Sequence, residues 1–382
     1  MVIGVDIRML ARGVRAGVQE YLINLLGQLP LKDPNINYRL FYNGLRKVKL
    51  DFPWLDFSNI RVYDFIFPSR LIDFSTKIFN RPRFDKMMGG IDLFVSPHFF
   101  SAPLSRGVKK VTTFHDLSFE REPRFFSFRQ RLWHRTVRAK KAAQTSFKLI
   151  AVSRSTKEDL INLYKIKPDK IEVIYSGIDP KLRILSKEEL ILERLRLKGK
   201  YNLPDNFILY LGTIEPRKNI IGIIKAFNLL KKKSGFDEFH LVLAGSWGWL
   251  FDETLKIWRS SPFCDSIKFL GPIPAQDRVG LYNLARVFIY PSFFEGFGFP
   301  PLEAMACGTP TVVSTSSSLP EVVGGAAVLV DPYKIEEIYE ALKLILGDCR
   351  LYRHLRLEGL KRAKQFSWEK CAQKTLAVLK SC

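Results

Sequence analysis

The alternation of short apolar segments with helix candidates between residues 207 and 346 constrains the fold of this chain more than any other feature. The strand candidates there lack polar alternation and lie at Phe207–Leu211, Leu241–Ala244, Ile267–Leu270, Val287–Tyr290, Thr311–Ser314 and Ala327–Val330. The helix candidates lie at Ile220–Lys232, Leu250–Arg259, Gln276–Ala285, Leu302–Cys307 and Ile335–Leu346. Such a pattern is typical of a parallel sheet covered on both faces. The second half is therefore predicted to be a doubly wound α/β domain with its ligand at the carboxyl ends of the strands.

The first half repeats this style less regularly. Its strand candidates are Val2–Asp6, Tyr38–Tyr42, Asp92–Ser96, Val111–His115, Leu149–Ser153 and Ile171–Tyr175. Helices are predicted at Gly17–Leu29 and Thr156–Leu163. The segment Ser176–Asp179, with the charged run Lys187–Lys200, is interpreted as the crossing between domains. The sequence thus predicts two Rossmann-like domains, at residues 1–180 and 181–365, that face a cleft.

Length and composition indicate a soluble protein of two domains. The chain has 382 residues, 47% of them hydrophobic, and no run of about 18 apolar residues suggests a membrane span. The first residues, Met1 to Val5, are expected to enter a strand directly, which argues against a signal peptide. Five scattered cysteines without metal-ligand or redox spacing predict free thiols and a cytoplasmic location.

The formal net charge of +22 is extreme and leaves three interpretations open. The basic clusters lie mostly in the first half, and the longest runs from Arg129 to Lys141. A solvated basic surface and binding to an anionic membrane are about equally favoured. Nucleic acid is the least favoured partner, because no helix-turn-helix, zinc-finger or RNP-type motif accompanies the charge.

The segment from Pro291 to Pro310 has the composition of a site for an anionic sugar ligand. It reads PSFFEGFGFPPLEAMACGTP and contains two carboxylates, Glu295 and Glu303, with a glycine-containing turn between them. A short helix is predicted from Pro301 to Cys307. The N-terminus of a helix offers N–H groups and a positive dipole end to phosphate, while carboxylates accept hydrogen bonds from sugar hydroxyls.

Four segments together resemble a known family. They read GVRAGVQEY at residues 13–21, TFHDLSF at 113–119, LGTIEPRKN at 211–219, and the paired-glutamate motif at 295–310. In order and spacing they resemble the family-4 glycosyltransferases of the GT-B fold, in particular bacterial mannosyltransferases of O-antigen, exopolysaccharide and lipid-glycan assembly. The resemblance implies a C-terminal donor domain and an N-terminal acceptor domain, with the last helix (residues 366–382) packed on the latter. It also implies transfer with retention of anomeric configuration.

The resemblance assigns roles within the paired-glutamate motif. It implies that Glu295 contacts hydroxyls of the donor sugar near the reacting carbon and that Glu303 holds the nucleotide ribose. Gly298 and Phe299 are expected to offer backbone N–H groups to the diphosphate. A side chain at Gly298 would obstruct that close approach.

Two adjacent cations, Arg217 and Lys218, follow a predicted strand and can neutralise a diphosphate. Arginine chelates oxygens in a bidentate manner, whereas lysine acts as a point charge. Many members of the family carry an arginine directly after the strand glycine, where this chain has Thr213. Lys218 is therefore expected to carry most of the phosphate role, with Arg217 sharing it and Thr213 lining the donor site.

Weaker predictions concern the first half. The resemblance places His115 beside the donor sugar as a third catalytic residue with Glu295 and Lys218, and Asp116 either orients its ring or caps the loop. His98 and Asp116 are expected on the acceptor side. Gly17, at a helix start, is assigned to phosphate or acceptor, and Arg12 to an anionic acceptor.

No two aspartates are separated by a single residue, so the Asp-X-Asp metal site of other glycosyltransferase folds is absent. We therefore predict no metal and no cofactor. The lead interpretation is a retaining hexosyltransferase that moves mannose from GDP-mannose to a lipid-linked glycan. Alternatives are a UDP-sugar donor, a sugar-nucleotide epimerase or a non-catalytic binder, and a nucleic-acid-binding protein.

The aromatic residues beside the longest basic cluster extend the membrane hypothesis. Phe125, Phe126, Phe128 and Trp133 lie next to or within Arg129 to Lys141. This combination predicts peripheral binding to an anionic bilayer, on the inner face of the plasma membrane.

Overall fold

The structure is a computed structural model that describes residues 1–10, 17–44, 50–68, 74–76, 78–79, 81–100 and 102–382. The strands are β1 (Val2–Asp6), β2 (Asn37–Gly44), β3 (Ile60–Ile66), β4 (Leu93–Ser96), β5 (Lys109–Phe114), β6 (Lys148–Ala151), β7 (Ile171–Val173), β8 (Phe207–Leu211), β9 (His240–Ala244), β10 (Ile267–Gly271), β11 (Val287–Tyr290), β12 (Thr311–Ser314) and β13 (Val328–Val330). The helices are α1 (Gly17–Lys32), α2 (Phe84–Met87), α3 (Ser118–Arg121), α4 (Phe128–Val137), α5 (Ala139–Thr145), α6 (Arg154–Tyr164), α7 (Lys187–Tyr201), α8 (Ile220–Lys231), α9 (Asp252–Arg259), α10 (Ala275–Leu284), α11 (Phe299–Ala306), α12 (Leu319–Val323), α13 (Ile335–Gly347), α14 (Cys349–Ala363) and α15 (Trp368–Lys380).

The described chain divides into two compact units. Unit 1 comprises Met1–Leu117, Arg129–Gly177 and Ser367–Cys382. Its seven strands form one sheet in the order β3-β2-β1-β4-β5-β6-β7, and every pairing is parallel. Unit 2 comprises Ser118–Phe128 and Ile178–Phe366. Its sheet is also wholly parallel, in the order β10-β9-β8-β11-β12-β13.

Both units are therefore doubly wound, Rossmann-like domains, which confirms the predicted fold class. The central strands of unit 2 are buried at every residue in β8, β11 and β12. Their uninterrupted apolar sequences follow from this burial, because each strand packs against helices on both faces of the sheet. All strands predicted from apolar runs are present, with bounds that differ from the predicted ones by at most two residues.

The C-terminal helix α15 packs on unit 1, as predicted. The ring of Trp368 meets the buried ring of Tyr21 edge-on, with centroids 6.0 Å apart. Two ion pairs tie the helix at its ends: Lys32 Nζ lies 2.6 Å from Glu369 Oε1, and Lys380 Nζ lies 2.7 Å from Asp33 Oδ2.

Several features differ from the sequence-based prediction, and helices α4 and α5 were not predicted. Strand β3 was missed, because its residues alternate between exposed and half-buried positions at a sheet edge and form no continuous apolar run. The charged run Lys187–Lys200 is not a crossing but helix α7 of unit 2, which begins with a capping box formed by Ser186 and Glu189. Helix α11 begins at Phe299, earlier than predicted.

The aromatic cluster near the basic segment also needs correction. Phe125 and Phe126 are buried within unit 2, where Phe125 stacks on Phe293 and Phe126 on Trp249. They cannot reach a membrane in this conformation. Helix α4, in contrast, has no buried residue, and Phe128 is 71% exposed.

The five cysteines are free, as predicted. Among the helices in the described ranges, none combines the length and the apolar character that crossing a bilayer requires.

Candidate active site

Three loops of unit 2 meet at one edge of its sheet. They span residues 212–219, 291–298 and 315–318 and follow the carboxyl ends of β8, β11 and β12, which are neighbours in the sheet. Because parallel strands end at the same edge, the loops converge. The amide of Asn219 donates to the Pro291 carbonyl at 3.2 Å, and the Phe293 N–H donates to the Arg217 carbonyl at 2.9 Å. These bonds fix the first two loops together.

A buried carboxylate with two cations lies at the centre of these loops. Glu295 is 7% exposed and Lys218 is 8% exposed. Lys218 Nζ donates to Glu295 Oε1 at 2.5 Å, and Arg217 Nη1 donates to Oε2 at 3.4 Å. The structure therefore brings these three predicted site residues into direct contact.

Further partners hold the cations in place. Lys218 Nζ also donates to the Tyr290 hydroxyl at 2.6 Å. Arg217 Nη2 donates to Glu215 Oε1 at 2.9 Å, and its Nη1 donates to the Phe294 carbonyl at 2.9 Å. The guanidinium thus lies between two carboxylates, while the ammonium lies between one carboxylate and a phenol.

The pKa values of this group reflect burial and charge. Burial alone would raise the pKa of Glu295, but Lys218 and Arg217 outweigh it and hold that pKa below its usual range. Burial, aided by Arg217, lowers the pKa of Lys218, and Glu295 counteracts part of that effect. Glu295 is therefore an anion, and the cations beside it are paired with carboxylates rather than solvated.

Two serines of the third loop hold the backbone around Glu295. Ser317 Oγ accepts from the Glu295 N–H at 2.7 Å. Ser318 Oγ lies 2.9 Å from the Glu295 carbonyl and 3.0 Å from the Phe297 carbonyl, and it donates to these oxygens. The turn that carries the acid is thus anchored on both sides by a neighbouring loop.

The start of helix α11 follows directly. Gly298 has φ +101° and is the residue before the helix, and a Cβ placed on it would lie 2.6 Å from Leu319 Cδ2. Glycine is required by this left-handed backbone. The helix begins Phe299-Pro300-Pro301, so Phe299 supplies the only N–H of the first three residues. The predicted backbone donors, Gly298 and Phe299, therefore lie at the N-terminal end of a helix dipole.

The second glutamate of the motif lies one turn into this helix. Glu303 Oε2 accepts from the Tyr282 hydroxyl at 2.8 Å, and Arg278 Nη1 lies 3.9 Å from its Oε1. Burial raises the pKa of Tyr282 well above its usual range, and the charge of Glu303 adds to the shift. The phenol is thus a fixed donor to a carboxylate that carries a nearby cation.

Thr213 lies exposed in the first loop. Its carbonyl accepts from the Tyr210 hydroxyl at 2.9 Å, a bond that holds the backbone immediately after β8.

The remaining predicted residues belong to unit 1. His115 follows β5, and its Nε2 lies 2.9 Å from the Pro97 carbonyl. Burial lowers the pKa of His115 to about 4, although the Pro97 bond and the charge of Asp116 partly oppose the shift. The ring is therefore neutral near pH 7. Because a carbonyl only accepts, Nε2 carries the proton and Nδ1 is left as an acceptor.

His98 is half-buried, with ring centroids 3.9 Å from Phe99 and 4.4 Å from Phe100. Gly17 is the exposed first residue of α1. Arg12 lies outside the described residues. The acceptor roles of His98 and Arg12, and the role of Gly17 in binding the donor phosphate or the acceptor, stay predictions.

Sequence reasoning missed four residues that complete the unit 2 site: Tyr290, Glu215, Tyr282 and Arg278. Tyr290 offered a signal, since it is the last residue of an apolar strand and directly precedes the paired-glutamate segment. Glu215 lies two residues before Arg217 in the same loop. Tyr282 and Arg278 lie on α10 and reach Glu303 only through the tertiary fold.

Within the described ranges, no group of three or more histidine, cysteine, aspartate or glutamate side chains is arranged to hold a metal ion.

Two family models match the chain in the two halves found above. The model described as "Glycosyltransferase Family 4" matches residues 16–182, and "Glycosyl transferases group 1" matches residues 193–362. The chain is 35% identical over 275 residues to O-antigen chain mannosyltransferase B of Escherichia coli, covering 71% of this chain and 70% of that protein. It is also 35% identical over 227 residues to the serotype-specific mannosyltransferase WbdA of Escherichia coli, covering 59% of this chain and only 27% of that protein.

Solved structures share the whole fold at low identity. Sucrose-phosphate synthase from Thermosynechococcus elongatus superposes with a TM-score of 0.78 at 20% identity, covering 100% of this chain and 98% of that one. Anabaena Alr3699/HepE, in complex with UDP-glucose, gives a TM-score of 0.73 at 18% identity, with 100% of both chains covered. These matches show the fold, whereas the two family models and the 35% identity to mannosyltransferase B show that the chain belongs to the family-4 glycosyltransferases.

Proposed function

We propose that this protein is a retaining transferase that moves mannose from GDP-mannose to a lipid-linked glycan without a metal ion or a cofactor. The observation that carries the proposal is the buried network of Lys218, Glu295 and Arg217, at the carboxyl edge of the unit 2 sheet and beside the start of α11. Cations, a carboxylate and a helix N-terminus are the groups that a sugar diphosphate requires.

The cations explain how the leaving group would be stabilised. As the bond between the sugar and the diphosphate breaks, negative charge grows on the departing phosphate oxygen. Lys218 and Arg217, already fixed by Tyr290 and Glu215, would meet that charge with little reorganisation. Backbone N–H groups at Gly298 and Phe299 would add the positive end of the α11 dipole.

Retention requires the new bond to form on the same face of the sugar. Glu295 is a poor nucleophile, because both its oxygens accept from cations and its pKa is lowered. We therefore assign it to binding sugar hydroxyls. In the proposed step the anomeric carbon loses the phosphate oxygen and gains the acceptor oxygen, while the acceptor's hydroxyl proton passes to the departing phosphate.

The identity of the donor is supported by the relatives. Two proteins at 35% identity are named mannosyltransferases, which favours mannose and hence GDP-mannose. A UDP-sugar is the second candidate, since a neighbour of the same fold was solved with UDP-glucose. Glu303, with its hydrogen bond from Tyr282, is the proposed partner of the ribose in either case.

A lipid-linked acceptor is supported by the surface of helix α4. Helix α4 has no buried residue and exposes three large apolar side chains, those of Phe128, Leu132 and Trp133. Arginines lie between and after them in the sequence. Exposed apolar side chains interleaved with basic ones suit peripheral binding to an anionic bilayer. The acceptor would then be presented at the membrane surface.

Nucleotide binding and turnover test this proposal separately. In a thermal-shift screen with GDP, UDP, GDP-mannose and UDP-glucose, the bound ligand raises the melting temperature by mass action, and we expect GDP-mannose to give the largest shift. Release of free GDP only when an acceptor is present distinguishes a transferase from an epimerase or a non-catalytic binder. No shift with any nucleotide, or GDP release without an acceptor at the same rate, would contradict the proposal.

A further inference from the structure

Unit 1 contains a cavity of about 410 Å³ that none of the preceding assignments uses. Strand β5, helix α5 and residues 102–108 contribute most of its lining. The lining includes four basic side chains, those of Arg83, Lys110, Arg138 and Lys141. No acidic side chain occurs among the described residues that line it, so this described lining has a net positive charge.

Among these residues, Lys110 gives the strongest indication of an anionic ligand. It is half-buried on β5, and the described part of the chain gives its Nζ neither a hydrogen bond nor an ion pair. Burial, with repulsion from Lys170, lowers the pKa of Lys110 to about 8. The adjacent Lys109 points to the opposite side of the strand, where its ammonium bonds the Cys382 carbonyl. Partial burial of a lysine without a counter-charge is costly, and an anionic ligand would offset that cost.

The other three cations line the same cavity as Lys110. Arg83 is positioned by a hydrogen bond from Nη1 to the Leu104 carbonyl. Arg138 and Lys141 are exposed. Asp85 contacts the lining through Ser105, from whose N–H it accepts a hydrogen bond at 2.8 Å. Four cations around one space fit a multiply charged anion better than a single carboxylate.

The rest of the lining is apolar. Phe99, Leu104, Val108 and Ala142 contribute to the walls. Ile78, which also lines the cavity, is 58% exposed, and its neighbour Phe79 is 65% exposed. A purely inorganic anion would gain nothing from these side chains, whereas an anionic group attached to a hydrocarbon chain would bury surface against them.

We propose that this cavity binds the phosphate or diphosphate group of a prenyl-type lipid, with the charged group at Lys110 and the first part of the chain against Ile78 and Phe99. This inference rests on the proposed function, because it gives the lipid-linked acceptor a binding site in unit 1. It would fix the acceptor by its lipid phosphate, whatever the glycan that follows.

Calorimetric titration of the full chain tests the proposal with three probes. A short-chain prenyl diphosphate is expected to bind. Inorganic pyrophosphate should bind at least about tenfold more weakly, and the matching prenyl alcohol should show no detectable binding. Equal affinity for pyrophosphate and prenyl diphosphate would assign the cavity to a free anion and overturn the lipid assignment. If vesicles of any anionic phospholipid compete with prenyl diphosphate for binding, the cavity attracts anionic membranes in general. That result would also overturn the lipid assignment.

Variants locate the binding. Lys110→Met should weaken prenyl diphosphate binding about tenfold or more, which corresponds to about 1.4 kcal/mol. Lys141→Met should act in the same direction. Lys374→Met is the matched control, since it removes the same charge from an exposed position on α15 outside the cavity, and it should leave affinity unchanged. An unchanged affinity in a folded Lys110→Met variant would refute the inference.

The two proposals fail independently. Lys110-dependent binding of prenyl diphosphate without any transfer from a nucleotide-sugar would refute the proposed function and leave this inference standing. Transfer to an acceptor without Lys110-dependent lipid binding would refute this inference alone.

Discussion

The ion pair between Glu295 and Lys218 predicts an unequal response to loss of either partner. Glu295→Gln removes a counter-charge that Lys218 and Arg217 share in a buried site, while Glu215 still pairs with Arg217. Leaving a buried charge uncompensated costs about 3–5 kcal/mol of unfolding free energy. Lys218→Met is expected to cost less, about 1–3 kcal/mol, because Arg217 still lies 3.4 Å from the carboxylate.

A double-mutant cycle isolates the pair. The variant with both substitutions contains neither buried charge, so its destabilisation should fall short of the sum of the single variants by about 1 kcal/mol or more. Differential scanning calorimetry is suitable, because two units can unfold in separate transitions. Glu358→Gln serves as the control, since its partner Lys361 lies 2.7 Å away on the surface and its loss should be nearly neutral. Additive effects, or a neutral Glu295→Gln, would refute the reasoning.

Three further predictions concern backbone and titration. Gly298→Ala should lower the free energy of unfolding by about 1–2 kcal/mol, because residue 298 has a left-handed backbone. The same variant should bind nucleotide more weakly in a titration. Unchanged affinity would contradict the role of this turn. Gly177→Ala should lower the melting temperature, because a Cβ there would lie 2.1 Å from the Trp368 nitrogen, whereas Gly199→Ala, with open space on α7, should raise it. The pKa of His115 falls from about 6.5 to about 4 on folding, so the folded state binds fewer protons and loses about 3 kcal/mol of stability as pH drops across that window. Urea unfolding at a series of pH values should show that slope, and His115→Gln should flatten it.

Much of the fold could be predicted because the buried strands have continuous apolar sequences. Strands β8, β11 and β12 are apolar at nearly every position, and in a doubly wound sheet both faces of a central strand are covered. Strand β3 could not be recognised in this way, since an edge strand buries only part of its surface. Helix α7 was not recognised because its sequence is charged and its one buried residue is Leu197. The capping box stabilises this helix at its start.

The site was predictable in its residue types but not in its contacts. The position of Glu295, Arg217 and Lys218 after strands placed them at one edge of the sheet in advance. The direct pairing of both cations with Glu295 could not be predicted, because it depends on the tertiary fold. From the sequence, this carboxylate was assigned to the sugar alone. Tyr290 depends on tertiary proximity in the same way.

Transfer of labelled mannose from GDP-mannose to a prenyl-diphosphate-linked glycan tests the central claim most directly. The wild-type protein is expected to form a product that retains the anomeric configuration of the donor, without added metal. Lys218→Ala should fold, as judged by circular dichroism, and lose about a hundredfold or more in kcat/KM, because the charge on the departing phosphate is no longer met. Full activity in Lys218→Ala, or a product of inverted configuration, would contradict the account.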